Sequence, residues 1–518
     1  MNSLIAALDI PAPALDYQLM APALIVLAGA VLGVLVEAFI PRDSRRGLQM
    51  AVAFGSMTLA FVAVVANKLG DRVGLTAGTA LAQDGVGLFV QGLILLTAIV
   101  GAFYVAEQYV DPLGDAFAPR ASALPGSDDE LEFTKQGWLQ TEVWPLFLFA
   151  LSGMLIFPVA NDLLTLFIAL ETMSLPLYLM AGMARRRRLL SQEAALKYFA
   201  LGAFASAFML YGSALIYGFA NSVRYPMVAE ALASQSGRGG LLLVGSLMVV
   251  VGLLFKVGAV PFHQWTPDVY QGAPTPITGF MAAATKTAAF VALIRLTLVA
   301  LGGMQYDLAP VLWLIAAVTM LVGTIVGVAQ SDIKRMLAYS SIAHAGFLLL
   351  AVIAADKAGV TGALFYLAAY SFTTLGTFGV VSLVRDASGE ATGLGAWAGL
   401  GKRSPLVASV FAFFLLALAG IPLTSGFTAK FSVFAAAYEA GAAPLVVLAV
   451  LSSAIAAFFY VRVIVLMFFT EPKGEEVEVA LPSGLTTVAL VISTAVTLLL
   501  GVVPQPVFDL LDSVFFIR

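Results

Sequence analysis

LLFKVGAVPFHQWTPDVYQGAPTPITGFMAAATK, residues 253–286, lies among apolar segments yet holds two lysines, a histidine, an aspartate and four prolines. A bilayer core penalises both features. An uncompensated charge there costs several kcal/mol, so such residues are paired and functional as a rule. Backbone that leaves its helix inside lipid must be shielded by protein or water. A chain that keeps such a stretch is expected to move a charged species across a membrane.

The surrounding composition agrees. Of 518 residues, 60% are hydrophobic and only 11% charged, and the mean hydropathy is +0.96. A soluble protein cannot hide that much apolar surface, so the expected class is an all-α polytopic membrane protein. Strand alternation of the outer-membrane barrel type is absent from the sequence. There is no cysteine, which excludes disulfides and cysteine-ligated iron–sulfur clusters in this chain. The two histidines, His263 and His344, are far apart, so no metal site is expected. The net charge of -4 gives no reason to expect a nucleic-acid partner. No cleavable signal peptide is expected, because the first apolar run is long enough to span.

Outward from the opening stretch, apolar runs of roughly 20 residues predict about fourteen transmembrane helices. They lie near 21–40, 48–66, 85–106, 143–160, 162–183, 194–219, 240–270, 276–300, 309–329, 335–354, 361–384, 405–438, 444–469 and 483–503. Residues 1–20 read as a short interfacial leader. The seventh and twelfth spans are too long and contain Gly/Pro breaks. The loop 107–140 is acidic and rich in Pro, Gly and Ser, and reads as a flexible surface insertion without chemistry of its own. Fifteen loop cations fall on one side, including the quartet Arg185–Arg188, against six on the other. That bias places both termini on the outer side and makes the quartet a topology signal.

Two five-span blocks echo each other weakly. LKYFA (196–200) followed by Phe204 aligns with LFYLA (364–368) followed by Phe372, and VGAVP (257–261) aligns loosely with AGIP (419–422). An odd span count per block forces opposite topology, so two inverted five-helix repeats are expected. The expected division is 1–142, a three-span segment with the acidic loop; 143–300, the first repeat; 301–469, the second; and 470–518, the last span and tail.

Six cations fall inside spans. Arg295 and Arg462 lie within two turns of a span end, where snorkelling accounts for them. Lys197 is about one turn into its span, where snorkelling and function are both open. Lys256, directly before the first break, Lys286, about ten residues into its span, and Lys430, about one turn after the second break, are candidate functional groups. Glu171 sits at least roughly 13 Å from either end of its helix, beyond snorkelling reach, and is paired with Lys256 as a proton switch. His263 and His344 either relay protons or serve as hydrogen-bonded structural groups. Tyr198, Ser340, Ser341, Tyr366, Thr373, Thr374 and Thr424 either hold water between the charges or link helices. An axis dominated by lysine favours protons over sodium, which would need several oxygen ligands.

Five motifs carry a resemblance. They are DLLTLFIALE (162–171); EAALKYFALGA (193–203) with LYG (210–212); FKVGAVPFH (255–263) with WTPDVY (265–270) and GAPTP (272–276); IKRMLAYSSIAH (333–344); and GFTAKF (426–431). Together they resemble the antiporter-like subunits of respiratory complex I, the NADH-quinone oxidoreductase, over about residues 140–470.

The resemblance implies fourteen helices with two inverted repeats, and one proton channel in a larger membrane arm of the bacterial cytoplasmic membrane. It implies that Glu171 and Lys256 form a coupled pair, that Lys197 modulates it, that Lys286 connects the half-channels and that Lys430 lies on the exit side. It places FMN, iron–sulfur clusters and quinone in other subunits, with sister antiporter-like subunits as neighbours. Multisubunit Na+/H+ antiporters share the Glu and Lys pattern and are the alternative.

Overall fold

The computed structural model describes residues 14–120, 122–124, 127–234, 239–387, 389–472 and 477–517. Residues 1–13 of the expected leader, and Arg238, Lys473 and Arg518 of the charge tally, lie outside them. Among the described residues, twelve helices are long and apolar enough to cross a membrane. Two shorter apolar helices, Val143–Val159 and Pro405–Ala419, accompany them. The chain is therefore an all-α, multi-pass membrane protein.

Helix starts are written into the sequence as aspartates. The Asp84, Asp162, Asp332 and Asp356 carboxylates each accept the backbone N–H three residues on, at 2.8, 2.7, 3.0 and 2.7 Å. Such caps satisfy orphan donors that neither lipid nor a packed interior can serve.

Both expected breaks are present. Helix Gly239–Val257 stops, and the short helix Trp265–Gly272 follows it. Pro405–Ala419 stops, and Ser425–Glu439 follows. Each break begins at a glycine with positive φ, +78° at Gly258 and +83° at Gly420. That conformation costs other residues roughly 1–2 kcal/mol. At Gly420 a Cβ would also lie 3.0 Å from Lys430 Cδ, so the break and the lysine share one space.

Helix Thr275–Ala300 runs through the middle of the molecule, its apolar window wholly buried, as is that of Lys357–Leu383. Two π-helical turns interrupt it, Met281–Thr285 directly before Lys286 and Leu296–Ala300 directly after Arg295. Such turns concentrate at functional sites. Outer helices such as Arg42–Leu69 and Ala443–Phe469 leave Leu59, Val62, Leu451 and Phe458 exposed, as lipid-facing helices do.

Two expectations are corrected. The 107–140 loop is docked onto the arginine quartet. Arg185 donates to Asp115 Oδ1 at 2.6 Å and to its carbonyl at 2.7 Å. Arg186 grips Asp111 at 3.0 and 3.1 Å, and Arg385 reaches the same carboxylate. Backbone bonds Ala118 N to Met183 O and Arg185 N to Ala116 O, at 2.8 and 2.9 Å, complete the seam. Acidic composition alone suggests a solvated segment; Asp111 and Asp115 are instead counter-charges of Arg186 and Arg185, while Asp128, Asp129 and Glu132 are exposed.

Burial pushes the Asp111 carboxyl up, but Arg186 and Arg385 outweigh it and hold the group below the usual carboxylate range. A depressed value makes this docking fully present above the unfolded value of about 3.9 and lost as pH falls through the lower folded value. Asp111→Asn is expected to accelerate tryptic cleavage within the loop at pH 7 by about tenfold, the effect of losing roughly one charged hydrogen bond. Unchanged cleavage kinetics would show that the arginines do not hold the loop.

Arg295 does not snorkel. It is fully buried and bidentate with Asp84, both contacts at 2.8 Å, and it donates to Pro158 O at 2.7 Å. Phe516 lies 4.7 Å from the guanidinium, and Ile517 N donates to Asp84 Oδ2 at 3.0 Å, so the C-terminal segment closes over the pair.

Candidate functional site

The site is a row of titratable side chains, Glu171, Lys256, Lys286, His344 and Lys430, each supplied by a different helix. Glu171 lies mid-helix on Leu163–Ala181, half-buried, and accepts from Ser206 Oγ of helix Arg188–Ala220. Ser174 stands three residues on, hence on the same face. Lys256 is buried in the last turn before the first break and donates to Ser174 Oγ at 2.8 Å and to Tyr198 Oη at 3.2 Å. Its ammonium does not come within 4.0 Å of the Glu171 carboxylate. The two groups thus form no contact ion pair: the Ser174 hydroxyl that receives Lys256 donates to Leu170 O, and the Glu171 carboxylate is held by Ser206. Helix Trp265–Gly272 steadies this end. Trp265 stacks on Tyr198, with ring centroids 4.6 Å apart, and gives its indole N–H to Phe255 O at 2.8 Å.

Lys286 is buried where Thr275–Ala300 meets Ile333–Ala354. Its Nζ donates to Ser341 O at 2.5 Å and to Ser341 Oγ at 2.6 Å, and lies 5.2 Å from the Tyr370 ring centre. Tyr270 Oη is 3.3 Å from the same serine hydroxyl. His344 lies three residues beyond Ser341. Its Nδ1 meets Tyr366 Oη at 2.5 Å, its Nε2 meets Tyr460 Oη at 3.4 Å, and its ring centre is 5.0 Å from that of Tyr370. Tyr460 in turn bonds Ser340. Which nitrogen carries the proton depends on the tautomer.

Lys430 closes the row. Its Nζ donates to Leu418 O, Ala419 O and Ser453 Oγ at 3.0, 2.8 and 2.9 Å. The two carbonyls end helix Pro405–Ala419, where the helix dipole is negative and a cation is favoured. Phe347 lies 5.2 Å from the ammonium and 5.8 Å from the His344 ring, so it occupies the space between them. Lys256 and Lys430 are not equivalent in detail: the first sits before its break, whereas the second sits after its break and reaches back.

Two sequence candidates lie off this row. Lys197 is half-exposed and pairs with Glu193 at 2.6 Å and Asp268 at 2.7 Å. His263 is half-buried, its Nδ1 lacks a hydrogen-bond partner, and its ring centre lies 6.5 Å from that of Tyr339. Of the small polar candidates, Tyr198, Ser340, Ser341 and Tyr366 join the row, while Thr424 bonds the Ile421 carbonyl. Sequence reasoning missed Ser174, Ser206, Tyr370, Ser453 and Tyr460. Spacing offered a signal for Ser174 alone, since it shares a helical face with Glu171.

Comparison with known proteins gives the family. A family model described as NADH:quinone oxidoreductase/Mrp antiporter, TM, matches residues 160–456. NADH-quinone oxidoreductase subunit N 3 of Streptomyces griseus is 57% identical, the alignment covering 96% of this chain and 94% of the relative. Subunit N of Mycobacterium tuberculosis is 53% identical over 97% of this chain and 98% of the relative. A chain of respiratory complex I from Thermus thermophilus superposes with a TM-score of 0.76 at 32% identity, covering 95% of this chain and all of that one. A chain of the Mrp complex from Dietzia sp. shares the fold, with a TM-score of 0.77 at 23% identity and 96% coverage of both. Motifs, fold and near-full-length relatives converge: the chain belongs to the subunit N family of NADH-quinone oxidoreductases, within the antiporter-like membrane subunits.

Proposed function

We propose that the chain is a proton-translocating, non-redox subunit of an NADH-quinone oxidoreductase, passing protons along the row from Glu171 to Lys430 while quinone is reduced elsewhere in the complex. The observation that carries this reading is the row itself. Lys256, Lys286, His344 and Lys430 are buried and titratable, and each bonds a hydroxyl able to pass or accept a proton, from Ser174, Ser341, Tyr366 and Ser453 respectively.

Glu171 and Lys256 act as a coupled pair without direct contact, with Lys197 modulating them from the membrane edge. Lys286, bonded to Ser341, carries the proton from the first repeat, 143–300, into the second, 301–469. Lys430 passes it to the exit side. His344, between Lys286 and Lys430, relays protons in this scheme; His263 has no assigned step. FMN, iron–sulfur clusters and the quinone site belong to partner subunits, and sister antiporter-like subunits flank this one in the bilayer.

The chain is placed in a bacterial cytoplasmic membrane with both termini outside. Contacts joining Arg185, Arg186, Arg385, Asp111 and Asp115, and joining Lys334 to Glu390, support a shared face for these loops. A sodium-exchanging role is disfavoured by the three buried ammonium groups, which repel a second cation along the same path.

Purification through a tag on this chain is expected to bring down NADH-oxidising, flavin-containing subunits, and vesicles holding the complex are expected to accumulate protons on NADH addition. An intact complex without NADH-oxidising subunits would overturn the proposal.

A further inference from the structure

One cluster of charges stands outside the proton row and is built from both halves of the chain. Its centre is Asp268, on the short helix Trp265–Gly272. Oδ2 accepts from Lys197 Nζ at 2.7 Å, and Oδ1 accepts from Arg335 Nη1 at 2.6 Å. Each cation has a second acceptor, Glu193 for Lys197 at 2.6 Å and Gln271 Oε1 for Arg335 at 3.0 Å. Gln271 continues to Asp332 Oδ2 at 2.9 Å, and Asp332 caps the helix that bears Ser341 and His344. One turn before Asp268, Trp265 stacks on Tyr198, the hydroxyl that receives Lys256. Lys334, next to Arg335, donates to Ala273 O at 2.9 Å, at the end of the same short helix.

The short helix therefore has three connections. It lies against the Lys256 site through Tyr198, against Lys197 through Asp268, and against the Ser341–His344 helix through Arg335 and Lys334. A single carboxylate serves a cation from each half. Lys334 and Arg335 count in the sequence only as loop cations, yet both are bound to this helix.

We infer that Asp268 is a positioning residue for proton transfer at Lys256, its carboxylate shared between Lys197 and Arg335 so that the helix holding Tyr198 moves with the helix bearing Ser341 and His344. The inference rests on the proton-translocation reading. An asparagine keeps the shape of Asp268 but presents an NH2 group to one of the two cations, so one link is lost whichever way the amide turns. Because Glu193 and Gln271 remain, neither cation is left bare in the variant.

The test uses the whole complex in vesicles, with NADH oxidation and protons taken up per NADH measured together. Asp268→Asn and Arg335→Gln are each expected to lower coupled turnover about tenfold, and the double variant to fall no further than the worse single, because the residues act as one unit. Asp268→Glu is expected to restore most of the rate, which a purely structural role would not require. Wild-type coupling in Asp268→Asn, or a double variant down by about the hundredfold product of the singles, overturns the inference. If Asp268→Asn does not assemble, Arg335→Gln is compared with and without Lys197→Met: loss of its effect in the Lys197→Met background supports the link, and an unchanged effect refutes it. Glu171→Gln is run alongside. If it pumps normally, the proton-translocation reading fails; if it stops pumping while Asp268→Asn does not, only the role of Asp268 fails.

Discussion

Glu171→Gln is expected to stop proton transfer through this subunit while leaving its fold intact. Glutamine has nearly the same shape, and its carbonyl still accepts from Ser206. It cannot take up or release a proton. Removing a positioned acid or base of this kind slows proton transfer by about 100-fold or more. The measurement is the number of protons accumulated per NADH by vesicles holding the purified complex, beside the rate of NADH oxidation. Because Lys256 bonds Ser174 and Tyr198 and does not contact Glu171, the variant leaves both hydrogen bonds of Lys256 in place. Assembly is therefore expected to match the wild type. A wild-type proton yield would remove Glu171 from the path and with it the start of the row.

Arg295→Ala is expected to act on stability. The Arg295–Asp84 pair is wholly buried, and removing one partner strands the other charge. Breaking such a pair costs about 3–5 kcal/mol, whereas replacing both partners with apolar or neutral groups of similar volume is often close to neutral. Arg295→Ala is expected to lower the thermal stability of the detergent-solubilised subunit sharply, and Arg295→Met with Asp84→Asn to recover much of the loss. The recovery remains incomplete because Asp84 also caps a helix and receives Ile517 N–H. Thermal unfolding of purified single and double variants decides it. A double variant as unstable as Arg295→Ala would show that the ion pair is not what holds this corner.

Much of the site was legible because lipid and packed protein are severe solvents. Lys256, Lys286 and Lys430 stood out in the sequence through the cost of burying an ammonium, and the structure buries all three. The two breaks were legible through glycine and proline inside overlong apolar runs. What escaped depended on distant contacts. Arg295 and Asp84 are 211 positions apart, and nothing in either local stretch points to the other. The acidic loop looked solvated because its composition is polar; its partners, Arg185 and Arg186, lie about 70 residues away. Ser174 and Ser206, which receive Lys256 and hold Glu171, drew no notice in the sequence, because a serine inside an apolar helix carries no cost that marks it. The π-helical turn before Lys286 has no signature in MAAAT, a run compatible with an ordinary helix.

The cradle of Lys430 has a mechanical side. An ammonium has three N–H bonds and a neutral amine two. Lys256 and Lys286 each face two acceptors, so either form serves them all. Lys430 faces three, two of them the end carbonyls of a helix. Departure of its proton leaves one acceptor without a donor. Proton movement is thus silent in the backbone at two lysines and audible at the third, where occupancy by a proton is translated into the tautness of a helix end.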